Sequence, residues 1–89
     1  MYIYSKSACF AINTDQLTFI DVNVEENPNG DPNPAICFHV RDRSSAIKYY
    51  PKPNHCKSLF EKIMDSLEYY RKESNVIILE KLEGISWLI

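Results

Sequence analysis

Apolar side chains alternate with polar ones along the first half of the chain, the period expected of half-buried β-strands. Tyr2, Tyr4, Ala8, Phe10 and Ile12 share one parity, broken only by Lys6. After the polar turn Asn13-Thr14-Asp15-Gln16, the segment Leu17 to Val24 places Ile20, Val22 and Val24 on one face and Phe19, Asp21 and Asn23 on the other. Two alternating segments around a short polar turn predict a β-hairpin. Residues 25–34 hold three of the five prolines and one of the two glycines, and predict a surface loop. Ala35 to Arg41 alternates again, with Ile36, Phe38 and Val40 inward. A turn at 42–45 leads to a fourth strand, Ala46 to Tyr50.

The period then changes. Cys56, Leu59, Phe60, Ile63, Leu67 and Tyr70 recur at steps of three and four, and Lys57, Glu61, Lys62, Asp65, Glu68 and Lys72 occupy the opposite side. This predicts one amphipathic helix with Asn54 as its N-cap and an end near Glu73. Val76 to Leu79 predicts a buried strand. Ile85 to Ile89 is a further apolar segment following Gly84. The expected class is α+β: an antiparallel meander of four to six strands covered by one helix, in the order β-β-β-β-α-β.

Length and composition bound the remaining choices. Eighty-nine residues make a single domain, 1–89, and 45% hydrophobic residues suffice for one small core. The longest apolar run, Val76 to Leu79, falls far short of the ~18 residues that a membrane span requires. Three widely spaced cysteines, Cys9, Cys37 and Cys56, form a poor disulfide framework, so reduced thiols and a cytoplasmic location are expected. Cys9 and Cys37 fall within predicted strands and Cys56 on the buried helix stripe, which predicts protected thiols.

The segment Phe10-Ala11-Ile12-Asn13-Thr14-Asp15-Gln16-Leu17, followed by Lys57-Ser58-Leu59-Phe60-Glu61-Lys62-Ile63, resembles a recurrent type of short bacterial and phage protein. The resemblance covers roughly residues 2–72. It implies a β-meander followed by one helix and a microbial or viral source, and it carries no activity.

Chemical motifs are sparse. Cys37 and His39, with His55 and Cys56, offer four nitrogen and sulfur ligands, but their spacing matches no standard zinc module, and Cys56 belongs to the buried stripe. Asp31-Pro32-Asn33 lacks the ligand spacing of a calcium loop. Ser44 and Ser45 lie in a turn apart from either histidine, and no nucleophile elbow, phosphate loop or metalloprotease signature occurs. No metal, cofactor or catalytic residue is therefore expected.

The charge distribution is uneven. Residues 1–40 carry one lysine and five acids. Residues 41–57 carry Arg41, Arg43, Lys48, Lys52 and Lys57 against Asp42 alone. This basic segment, with Tyr49, could receive a nucleotide, RNA or another phosphate-bearing ligand. The net charge of -2 opposes long-range attraction to nucleic acid. The leading expectation is a small non-catalytic protein-interaction domain, an adaptor, inhibitor or regulator of the kind phage and mobile elements encode. It would bind another protein, or itself as a homodimer, through the apolar C-terminal segment with Trp87 at its centre.

Overall fold

The computed structural model describes the backbone of residues 1–69 and 76–87 and the side chains of residues 1–67 and 76–83. The class is α+β: six strands in two three-stranded sheets, one long helix and one short one.

The stretch 2–12 is two strands rather than one. Strands β1 (Tyr2–Ser5) and β2 (Phe10–Asn13) pair antiparallel, with Ile3 opposite Ile12. The fold reverses where Lys6 and Ser7 interrupt the alternation. Ser5 Oγ accepts the Ala8 N–H at 3.1 Å, and Cys9 adopts φ +57°. Cys9 is thereby an exposed turn residue, whereas Cys37 and Cys56 are buried as expected. A 3-10 turn, Thr14–Gln16, then carries the chain out of this sheet; Asn13 Oδ1 caps it by accepting the Asp15 N–H.

Strand β3 (Leu17–Glu26) pairs with β4 (Pro32–Val40), not with the N-terminal segment, and β4 pairs with β5 (Ala46–Tyr49). The expected loop at 25–34 contracts to a turn at 27–31, because both strands extend into it. Asn27 organises that turn: its Oδ1 accepts the N–H groups of Asn29 and Asp31 at 2.8 and 3.0 Å. Gly30 supplies the left-handed φ of +88° that the turn requires. Pro34 fits the central strand because its carbonyl faces β5, accepting the Tyr50 N–H at 2.8 Å. Its missing N–H therefore costs no bond to β3.

Helix α1 (Pro53–Tyr69) starts at a proline, whose fixed φ and absent donor suit a first helical position. Its predicted stripe holds: Cys56, Leu59 and Ile63 are fully buried, and Phe60 and Leu67 partly so. Tyr70 and the expected helix end near Glu73 lie outside the described residues. Strand β6 (Val76–Ile78) adds to the first sheet parallel to β1, giving the order β2-β1-β6. The chain after it is helical as far as Trp87. Helix α2 (Leu79–Trp87) begins at once, since Leu79, Leu82 and Glu83 recur at helical spacing and turn inward.

The core joins both sheets to α1 and α2. Ile3, Ile12, Ile36, Phe38, Leu59, Ile63, Ile77 and Leu79 meet there, with Phe10 and Phe38 rings 5.5 Å apart. Among the described residues no helix is long and apolar enough to cross a membrane.

Candidate functional site

The turn between β4 and β5 projects Arg41 and Arg43 beside the first sheet. Arg41 is anchored there, its N–H donating to the Gln16 carbonyl at 2.8 Å, and Asp42 between the arginines takes φ +61°. A left-handed residue between two arginines bends the turn sharply. Below it lies a half-open groove of about 430 Å³, walled by Tyr2, Asn13 and Gln16 on one side and by Arg41, Arg43 and Ser44 on the other. Apolar side chains, among them Phe10, Ile12 and Val40, make its floor.

The groove has a definite polarity. No carboxylate lines it. Among the described residues neither guanidinium forms an ion pair or a side-chain hydrogen bond. The Asn13 carbonyl oxygen is occupied by Asp15 N–H, which leaves its amide hydrogens for the groove. The site thus offers cationic and neutral donors over an apolar floor.

The other basic-segment candidates do not converge on it. Lys48 is buried on the core face of β5. Its ammonium sits 2.6 Å from Glu83 Oε1 and 4.9 Å from the centre of the Tyr50 ring. Tyr50 donates its hydroxyl to the same Glu83 oxygen at 2.7 Å. Burial, reinforced by that carboxylate, pushes the Tyr50 phenol above its ordinary range. Lys48 is therefore a core element and no surface cation. Tyr49 points to the opposite face and donates to the Glu26 carbonyl at 2.9 Å. Lys52 is exposed at the far end of β5. The backbone of Trp87 closes α2, while its side chain and residues 88–89 lie outside the described residues, as does the C-terminal docking surface expected there.

A second constellation joins residues that lie apart in the sequence. On the outward face of the second sheet, Ser45 Oγ lies 2.7 Å from His39 Nδ1, and His39 Nε2 lies 3.0 Å from Asp21 Oδ1. The Phe19 ring stacks on the imidazole at 4.0 Å. A neutral ring accepts from Ser45 and donates to Asp21; a charged ring donates to both, since the serine oxygen can accept as well. The order serine, imidazole, carboxylate is that of a hydrolytic triad, but catalysis also needs an enclosed site and donors aimed at a developing oxyanion. Among the described residues, Asp21, His39 and Ser45 line neither the groove under the arginine turn nor the cleft between α1 and β3. What the relay does is tie the start and end of the Arg41–Arg43 turn together, because His39 precedes the turn and Ser45 follows it. The signal for it was the shared parity of Phe19 with Asp21 and of Cys37 with His39; the β3–β4 pairing was needed to join them.

The zinc candidates separate. Cys37 lies on this outward face beside Glu25, at 3.7 Å, while Cys56 lies in the core. Burial, then the Glu25 and Asp21 charges, raises the Cys37 thiol to about 11. Among the described residues no three metal-binding side chains are placed around a common point.

Between α1 and β3 runs a larger cleft of about 750 Å³, walled by Leu17, Ile20, Phe60, Met64 and Leu67 together with Asp15 and Asp65. No protein-family profile, curated protein or solved structure matches this chain.

Proposed function

We propose that the protein is a non-catalytic binding module whose ligand is a small phosphate-bearing anion held in the groove under the β4–β5 turn. The observation that carries this reading is the pairing of Arg41 and Arg43 over a groove that no carboxylate lines, in a chain of net charge -2. Elsewhere in the described structure two charged pairs are matched, Lys48 with Glu83 and His39 with Asp21. Two unmatched guanidinium groups side by side repel each other, and an anion between them removes that repulsion. Guanidinium presents a planar fork of donors that fits phosphate oxygens in pairs. The volume falls within the roughly 300–1,000 Å³ of small-molecule sites, so a mononucleotide-sized ligand fits better than a polymer. Tyr2 supplies an exposed ring at the rim, on which a flat heterocycle can stack. Free thiols at three separate positions are consistent with a reducing compartment such as the cytoplasm.

Titration calorimetry with inorganic pyrophosphate and with adenosine monophosphate tests the proposal. Binding should weaken as salt rises. A charge-assisted bond contributes ~1.5–3 kcal/mol, so Arg41→Ala or Arg43→Ala should weaken binding about 10- to 100-fold. Lys52→Ala, outside the groove, should leave it unchanged. No heat with either anion, or equal binding by the Arg41→Ala/Arg43→Ala variant, would refute the assignment.

A further inference from the structure

Strand β3 is ten residues long and forms one edge of its sheet, in the order β3-β4-β5. Its free side can be identified from Pro34. The Pro34 carbonyl is turned to β5, so the residue opposite it, Val24, has its own N–H and C=O turned away from β4. The same parity applies to Val22 and Ile20. One side-chain bond confirms it: the Val24 N–H is taken up by Asn23 Oδ1 at 2.9 Å, off the sheet edge. The strand also carries large exposed apolar side chains, with Phe19 at 56% and Val24 at 62% exposure. A long edge with unpaired backbone groups and apolar side chains is a template for another strand.

We infer that β3 pairs antiparallel with β3 of a second copy about a two-fold axis at Val22, joining the two sheets into one of six strands. A two-fold axis perpendicular to the sheet keeps both α1 helices on one side, so only residues of like parity can face each other. Charge then excludes the two neighbouring registers, and the Val22 axis leaves a longer overlap, residues 18–26, than an axis at Ile20 or Val24. An axis at Asp21 sets that carboxylate against its own copy, and an axis at Asn23 sets Asp21 against Glu25. With the axis at Val22, Asp21 faces Asn23, Glu25 faces Phe19, and no carboxylate opposes another. In the same register Val24 of each copy stands beside Ile20 of the other, over the cleft whose apolar walls include Phe60 and Met64. The most exposed apolar residue of the strand thereby covers the cleft between α1 and β3. The outward backbone groups of Ile20, Val22 and Val24 form the new ladder, and Asn23 surrenders the Val24 N–H to it. The groove under the arginine turn takes no part, so this inference stands apart from the anion site.

Sedimentation equilibrium of the full chain should give a mass near twice 10.4 kDa. Val22→Lys places two ammonium groups on the axis and should give a folded monomer, with circular dichroism unchanged. Position is tested separately in a Cys9→Ser background, which removes the exposed native thiol. Val22→Cys should form a disulfide-linked dimer on mild oxidation, because directly opposed residues of a bonded pair lie about 5.5 Å apart. Val24→Cys should not, because its copy lies several residues along the strand. A mass of one chain at high micromolar concentration would overturn the inference. So would a dimer that survives Val22→Lys, or cross-linking that favours Val24→Cys over Val22→Cys.

Discussion

Removing the Glu83 carboxylate should destabilise this protein more than any surface change. Lys48, Glu83 and Tyr50 form a closed cluster in which one carboxylate oxygen serves both an ammonium at 2.6 Å and a phenol at 2.7 Å. The side chains of Lys48 and Glu83 are only 10% and 8% exposed. Glu83→Ala leaves a buried ammonium and a buried hydroxyl without their acceptor. Breaking a buried pair from one side costs about 3–5 kcal/mol. A domain of this size has ~5–10 kcal/mol in all, so the variant should lose about half its stability. Helix propensity does not confuse the result, because alanine is the better helix former. The informative control removes the whole cluster. Lys48→Met with Glu83→Leu and Tyr50→Phe leaves no polar atom stranded and should recover most of the loss, since apolar replacement of a buried pair is often neutral or stabilising. Urea unfolding followed by circular dichroism measures each variant. A cost below about 1 kcal/mol for Glu83→Ala, the value of an exposed pair, would show that water reaches the cluster and would refute the reasoning.

Four further outcomes are expected. Glu80 would be raised by burial, but the Ser7 N–H, the Ser5 hydroxyl, its own N–H and the Ser7 hydroxyl together hold it near 2, against 4.5 ordinarily. Its contribution is therefore present above pH 4.5 and lost as pH falls towards 2; discounted for the residue's partial exposure it amounts to about 1–2 kcal/mol, and Ser5→Ala with Ser7→Ala should flatten that limb of a melting-temperature profile. Ile63→Ala, at a fully buried core position, should cost about 2–5 kcal/mol in the same urea assay, while Lys62→Ala should stay within about 0.5; equal effects would contradict the packing of α1. A thiol reagent should label Cys9 rapidly and Cys37 and Cys56 only on unfolding. Because the Cys37 thiol is raised from 9.0 to about 11, the stability it confers is complete below pH 9 and declines as pH rises through that interval; Cys37→Ala should reduce the decline.

The parts legible in the sequence are those set by local period. The stripe of α1 and the inward Ile36 and Phe38 of β4 could be read directly, because each depends only on neighbours three, four or two residues away. Pairing partners were not legible. Leu17 to Val24 is equally suited to either neighbouring strand by alternation, and the choice of β4 rests on the turn built by Asn27 and Gly30. The parallel contact of β6 with β1 joins residues more than seventy positions apart, and no period records it. Of the basic candidates, Arg41 and Arg43 lie on a common groove, but their companions Tyr2 and Asn13 come from the other sheet and Gln16 from the 3-10 turn that leaves it. Lys48 shows the limit of reading charge alone. Its parity with Ala46 and Tyr50 marks the inner face, yet only the facing Glu83 makes a lysine tolerable there.

Helix α2 explains how two small sheets hold one groove between them. Its first turn bonds to the first sheet, where Glu80 accepts from Ser5 and Ser7 of the β1–β2 hairpin. Three residues on, Glu83 bonds to the second sheet through Lys48 of β5 and to Tyr50 just beyond it. Residues three apart lie on one side of a helix, so a single turn spans both attachments. Each sheet has three strands, and neither encloses a core by itself. The contact between them therefore rests on the shared apolar core, on Arg41 N–H to the Gln16 carbonyl, and on these two carboxylates. The groove is bounded by Tyr2 and Asn13 from one sheet and by the arginine turn from the other, so its width depends on the contacts that hold the sheets together. Loosening Glu80 or Glu83 should accordingly change anion binding without touching any groove residue, whereas loosening the His39–Ser45 tie should act on the arginine turn alone.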